Sequence, residues 1–251
     1  MTKLIKIRAK EFARKILEGE KEFRYVKLPT GEDLGRDALD EVIDAVRKYL
    51  HLNAVNFKSN PINVEGSKFR GVGMMGLELP FLHAVNADFE GATFYGMELY
   101  KANLQGANFT MAQFPETCLE NANFNGANLR YADLSGAWTR MISLRYTNLS
   151  DTILDSCDLR GADFDGANVR KTNLERACLF AAVHIDRTID THLARLDGAA
   201  ITPKEKELLE SHYPGKLWNV RGDDTLSAMA FIDRFVYKKH DARHKSYEGI
   251  T

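Results

Sequence analysis

A large apolar residue stands at nearly every position ending in 4 or 9 between residues 69 and 179, from Phe69, Met74 and Leu79 through Phe109, Phe114 and Leu129 to Leu174 and Leu179. Of these 23 centres 21 are apolar, and the frame holds without insertion; Ala84 and Thr139 are the two exceptions. Two residues before each centre lies a small residue, most often Ala, as at Ala87, Ala92, Ala102, Ala107 and Ala112. Between the two stands Asn or Asp, as at Asn103, Asn108, Asn123, Asn128, Asp133 and Asn148, whose side chains bond nearby backbone and tolerate turns. Gly recurs two residues after the centre (Gly91, Gly96, Gly106, Gly126, Gly161), where the chain has to turn a corner. A period of five fits neither the ~3.6 of a helix nor the ~2 of a strand. The segment is therefore read as a solenoid in which two of every five side chains face a crowded axis.

Tandem A(D/N)Lxx units of this kind resemble the pentapeptide repeat proteins, over roughly half the chain. The resemblance implies a mainly β fold, a right-handed quadrilateral β-helix with four pentapeptides per coil, so that residues twenty apart stack. On that frame Phe69, Phe89 and Phe109 form one ladder and Phe94 and Phe114 part of the next, like residue on like, with coils ~4.8 Å apart. Leu77 and Leu82 occupy the small-residue position and predict a wider or irregular first coil.

The boundaries follow from where the period fails. Residues 1–50 are expected to form a small α/β N-terminal cap: a strand at Leu4 to Ile7, a helix at Lys10 to Leu17, and a helix from Ala38 to Tyr49 with Asp37 as its N-cap. Residues 51–190 hold the β-helix, its start placed between 51 and 66 because Pro61 and a seven-residue step from Phe57 to Val64 break the frame. Residues 191–251 are expected to form helical C-terminal caps. Thr202, Pro203 and Glu205 read as a capping box opening a helix to about Ser211. Asp223 or Asp224 opens another from Thr225 to His240. That second helix places Leu226, Met229, Ala230, Val236 and Tyr237 on one face and Phe231 and Phe235 on the other. One apolar face is expected to lid the final coil; Phe231 and Phe235 then predict a homodimer interface.

Composition narrows the classes. With 34 Lys+Arg, 35 Asp+Glu and 44% hydrophobic residues in 251, neither a disordered chain nor a basic nucleic-acid binder is expected. No apolar run approaches the ~18 residues of a membrane helix, and the opening MTKLIKIRAKEFARK lacks a signal-peptide core, so a cytoplasmic protein without membrane contact is expected. Cys118, Cys157 and Cys178 have no CxxC spacing and read as free thiols. No phosphate-binding glycine loop, nucleophile elbow or HExxH occurs, and a filled β-helix has no lumen; no enzymatic activity and no cofactor are expected. His184, Asp186, Asp190 and His192 are dense enough to raise a metal site but fall where the repeat frays, and His240 with His244 reads as a solvated helix end; no metal is expected. Asn108 with Thr110 and Asn148 with Ser150 spell glycosylation sequons that are by-products of the repeat.

Two functions remain. The first is a non-catalytic scaffold that meets an unidentified protein partner through its flat faces, with Tyr100, Trp138, Arg140 and Arg160 on the third face as the candidate surface. Trp138 has a second reading, in which it covers a coil edge or packs beneath a terminal segment. The resemblance supplies the other function: some members of the family bind DNA gyrase by imitating duplex DNA, inhibiting it or protecting it from quinolones. Residues 66–190 carry 11 Lys+Arg against 15 Asp+Glu, a net of about −4 that is weak for such a mimic. Arg130, Arg140, Arg145, Arg160, Arg170, Lys171 and Arg176 moreover gather in the later coils, which thus carry substantial positive charge.

Overall fold

The computed structural model describes residues 3–31, 41–188, 194–196, 199–212 and 221–222. Within them the five-residue period becomes a β-helix with four faces. Parallel bridges join residues twenty apart, as in Asn63↔His83, Asp88↔Asn108, Thr93↔Gln113 and Glu98↔Cys118. We number the faces by their centres: face 1 carries Phe69 to Val169, face 2 Met74 to Leu174, face 3 Leu79 to Leu179, and face 4 Ala84 to Phe164.

Each face is held to the coils on either side by main-chain bonds. Asn108 donates its N–H to the Ala87 carbonyl (2.9 Å) and Phe109 donates to that of Asn128 (2.7 Å). A turn then closes the corner, as when Ala112 N–H donates to the Phe109 carbonyl (2.9 Å). Every corner residue from 66 to 181 has positive φ, and more of them are non-glycine than glycine, Tyr131 and Tyr146 included. The Asn/Asp residue beside each centre secures the turn: Asn108, Asn128, Asn148 and Asn168 each accept the N–H two residues on, at 3.1–3.2 Å.

Centres and small residues fill the axis. Phe69, Phe89 and Phe109 stack at 5.4 and 5.1 Å between ring centroids, and Phe94 on Phe114 at 4.7 Å, so the like-on-like ladders exist. Where Thr replaces Ala its hydroxyl is satisfied by the coil below: Thr147, Thr152 and Thr172 donate to the carbonyls of Phe124, Leu129 and Leu149 at 2.7–2.9 Å. The first coil is not irregular, contrary to expectation. Leu77 and Leu82 are buried, and the bridges Glu78↔Glu98 and His83↔Asn103 keep the step of twenty. The same coil has the undersized centre Ala84, and the coil of the undersized Thr139 has the oversized Ile142, so volume is conserved within each coil.

At the N-terminal end β1 (Ile5–Lys6) pairs in parallel with β2 (Val26–Lys27), after α1 (Ala9–Leu17). Residues without any repeat signature thus continue the ladder, through Glu22↔Asn63 and Lys27↔Lys68. Ser67 ties them in: its hydroxyl donates to the Phe23 carbonyl (2.6 Å) and accepts the Val26 N–H (2.9 Å). Phe12 of α1 lies edge-on to Phe69 at 5.7 Å, closing the axis with Phe23, and α1 also meets α2 (Glu41–Asn53). The expected start of α2 at residue 38 and its cap Asp37 lie outside the described residues.

The ladder does not stop at residue 190. Arg195 bridges to Asn173 and Ala200 to Cys178, a step of twenty-two, and Leu196 and Ile201 are buried where the next centres belong. The sequence ARLDGAAI is a repeat resumed two residues out of frame. His184, the next position in the frame after Leu179, does not fill a centre: it sits in a left-handed corner and Ile185, in the short 3-10 turn Ile185–Arg187, is buried instead. Beyond it β3 (Ala200–Ile201) pairs in parallel with β4 (Arg221–Gly222), with α3 (Pro203–His212) between them.

Candidate functional site

Because the axis is packed with side chains, the chemistry that the β-helix offers among the described residues lies on its faces. Face 3 carries the expected surface, and the structure places it differently. Trp138 is only 5% exposed, and its outward neighbours Glu98, Cys118, Asp158 and Cys178 are buried as well. Arg140 is exposed, while Tyr100 and Arg160 are half-buried. Arg160 grips Asp158 with two nitrogens at 2.8 and 2.7 Å, and its backbone N–H bonds the same carboxylate. The four residues do share one face, but Trp138 is not open to a partner.

Thr139 explains the irregularity beside it. The bridge between Trp138 and Asp158 is missing from the otherwise regular run up to Asp163↔Val183 among the described residues, and the Thr139 hydroxyl donates to the Asp158 carbonyl (2.8 Å). A side chain thus replaces one main-chain bond of the ladder.

Cys118, Cys157 and Cys178 are free and buried. Burial pushes the Cys118 thiol well up, with the nearby charge of Glu98 adding to it, and the Cys157 thiol is raised in the same way by burial and by Asp155. Neither is a ready nucleophile.

His184 Nδ1 lies 2.9 Å from Asp163 Oδ1. Partial burial pushes the Asp163 carboxyl up, but the hydrogen bond from His184, the Asp165 N–H and the charges of His184 and Arg145 outweigh it, so the group sits below the ordinary carboxylate range. Asp190 and His192, the other half of the raised metal cluster, and His240 and His244 lie outside the described residues. Among the described residues no group of three or more His, Cys, Asp or Glu is placed to hold a metal. Phe231 and Phe235 also lie outside them.

Face 1 presents what face 3 was expected to present. Its middle is a ladder of Asn side chains, in which Asn108 Nδ2 donates to Asp88 (3.1 Å) and Asn148 Nδ2 to Asn128 (3.1 Å). One edge carries Tyr146, 64% exposed, which lies along Gly166 and donates its hydroxyl to Asp165 (3.3 Å) beside Arg145. The opposite edge carries Met111 (59%) and Tyr131 (44%), with the Arg130 guanidinium 4.5 Å over the Tyr131 ring. An open cavity of about 370 Å³ beside Tyr131 is lined by Arg130, Asn148, Ser150, Asp151, Arg170 and Lys171. Arg170 and Lys171 are exposed and have no ion pair among the described residues. The sequence signal for this face was available: Tyr131, Tyr146 and Met111 stand at corner positions where Gly is the common residue.

Repeats, bridges and corners together define a pentapeptide-repeat solenoid. Residues 85–121, 112–138 and 142–179 match the family model described as pentapeptide repeats, in 8 copies. The repeat segment of this chain is thus a run of pentapeptide repeats. Among solved structures the chain is similar to HetL, a pentapeptide repeat protein involved in heterocyst differentiation regulation from the cyanobacterium Nostoc, with 22% identity over 78% of this chain and 81% of that one and a TM-score of 0.26. It is also similar to full-length QnrB1, a plasmid-mediated fluoroquinolone resistance protein, with 16% identity over 77% and 99% and a TM-score of 0.34. A pentapeptide repeat protein from the cyanobacterium Cyanothece shows 21% identity over 76% and 93% and a TM-score of 0.29. No curated protein matches the chain.

Proposed function

We propose that this protein is a non-catalytic scaffold, wound as a right-handed β-helix, that binds a protein partner through face 1. The observation that carries the reading is the pair of exposed edges: Tyr131, Tyr146 and Met111 flank a flat Asn ladder, with Arg170 and Lys171 at hand for carboxylates. Exposed Tyr, Met and Arg are the residues enriched at protein interfaces, and bonds to Arg130 and Asp165 already hold both tyrosines in place, which lowers the entropy lost on binding. The protein acts in the cytoplasm, and a second copy docks through Phe231 and Phe235. Affinity capture from the native cell tests the face. Tyr131→Ala/Tyr146→Ala should lose a partner that Arg140→Ala keeps; a partner retained by the first and lost by the second moves the interface to face 3.

Gyrase binding draws less support, since a net charge of about −4 over residues 66–190, with arginines interspersed through the later coils, suits a phosphate-binding cradle poorly. Potent inhibition of supercoiling at micromolar protein would reverse that order.

A further inference from the structure

We infer that the notch at the corner between faces 1 and 2 receives an acidic stretch of polypeptide, with a glutamate or aspartate side chain lodged against Arg170 and Lys171. The inference rests on the reading of face 1 as the surface that meets a protein partner, and it states the chemistry of that partner.

At this corner pairs of residues stack coil on coil: Thr110–Met111, Arg130–Tyr131, Ser150–Asp151 and Arg170–Lys171. Each pair is tied to the next by a main-chain bond, from the Met111 N–H to the Arg130 carbonyl (3.0 Å), from Tyr131 to Ser150 (3.2 Å) and from Asp151 to Arg170 (2.9 Å). One pair is short. Ser150 and Asp151 lie between two rungs of long side chains, which a coil spacing of ~4.8 Å places ~9.6 Å apart. That difference in length opens the cavity of about 370 Å³, with Ser150, Asp151 and Asn148 as its floor. It exceeds what a single ion needs and matches the small end of clefts that take organic ligands, ~300–1,000 Å³.

Charge names the ligand. Elsewhere on the coils arginines meet carboxylates of a neighbouring rung: Arg70 lies 2.5 Å from Asp88 and 3.2 Å from Glu90, Arg145 2.9 Å from Asp165, and Arg176 2.6 Å from Asp155. In the notch Arg130 reaches Asp151 at 3.8 Å, whereas Arg170 and Lys171 stand side by side with no ion pair among the described residues. Three cations against one carboxylate leave a surplus of positive charge, and it lies on the upper rung. Asn148 adds a donor, since Nδ2 uses one hydrogen on Asn128 (3.1 Å) and carries a second. Asp151 in the floor opposes a compact dianion such as phosphate. A carboxylate on a flexible stem avoids it, meeting Arg170 and Lys171 at the rim while its methylenes lie on Tyr131. That ring is already fixed, with the Arg130 guanidinium 4.5 Å over it and donating to its hydroxyl at 2.6 Å.

Fluorescence anisotropy of a fluorescein-labelled oligoglutamate, titrated with the full chain, tests the site. Binding should saturate, and Arg170→Glu/Lys171→Glu should weaken it by on the order of tenfold, as the reversal of two exposed ion pairs predicts. Arg140→Glu is the matched control: it reverses an exposed arginine of face 3 and should change nothing. Asp151→Asn, which the left-handed corner tolerates, should tighten binding. Melting curves of all variants should match the wild type. Binding that is absent, that Arg140→Glu weakens as much, or that Asp151→Asn fails to tighten overturns the site. So does displacement of the peptide by inorganic phosphate at concentrations where acetate has no effect, which would assign the notch to phosphate. Partner capture separates this inference from the one beneath it: a partner lost by Tyr131→Ala/Tyr146→Ala but kept by Arg170→Glu/Lys171→Glu leaves face 1 standing and refutes the acidic seat.

Discussion

Thr139 is where one side chain does the work of a main-chain bond. It occupies a centre that elsewhere belongs to Leu or Phe, and its hydroxyl bonds the Asp158 carbonyl at 2.8 Å with no solvent access. Thr139→Val keeps the shape and strands that carbonyl, so chemical denaturation should show a loss of about 1–3 kcal/mol. Corners offer a second test. Gly126 and Gly166 share a left-handed conformation, but a Cβ at Gly166 would fall 2.5 Å from the Tyr146 ring, whereas none of the atoms around Gly126 comes within 4 Å. Gly126→Ala should cost about 1–2 kcal/mol from φ alone. Gly166→Ala should cost more, and the excess should shrink in a Tyr146→Ala background when both are followed by thermal melting. Much at this scale was legible in the sequence. The Asn/Asp position was expected to bond backbone and does so, and Thr139 was visibly off pattern. What could not be read was direction: whether the Thr139 hydroxyl reaches up or down the axis depends on the neighbouring coil, which the local sequence does not contain.

At the level of the elements, the last coils are tied together by ion pairs across rungs, and one has a predictable pH signature. The Asp163 carboxyl is held below its ordinary range by His184 and Arg145, so its contribution to stability is present above the unfolded-state value of about 3.9 and is lost as pH falls through the lower folded value. The melting temperature of the wild type should therefore drop more steeply between about pH 5 and 3 than that of Asp163→Asn, measured by circular dichroism. Equal slopes would show that this contact adds nothing. Elements were legible where their period was. The repeat frame from 69 to 179, α1 and α3 all stand near their expected places. The additional rungs were not. Glu22 and Lys27 pair with the first coil at a separation of 41 residues, after a helix, and no five-residue signal marks them. Leu196 and Ile201 do carry the signal, but a two-residue slip hides it from a fixed frame.

For the whole molecule, the open question of number follows from its ends. α1 and Phe23 close one end of the axis with buried contacts. At the other, the spacing of residues 225–240 predicts a helix with two apolar sides, and the proposed dimer rests on that sequence reading, since a twofold pairing needs a single self-complementary patch. Light scattering should give twice the mass of one chain, falling to one chain in Phe231→Glu/Phe235→Glu; a monomeric wild type removes the dimer from the account. The candidate surface was the least legible part. Tyr100, Trp138, Arg140 and Arg160 were placed on one face by arithmetic alone, and they are on one face. Exposure is decided by what else lies across that face, and a period says nothing of it.

The missing bridge between Trp138 and Asp158 has a mechanical meaning. A ladder closed on all four sides resists bending equally in every direction, but here one side lacks a rung between two coils while face 1, opposite, keeps its own bridge Asn128↔Asn148. What joins the two coils on that side is the Thr139 hydroxyl on the Asp158 carbonyl, so a bend that broke this one bond would open face 3 and fold the rod towards face 1. Any such bend would turn the flat Asn ladder between Tyr131 and Tyr146 into a shallow trough.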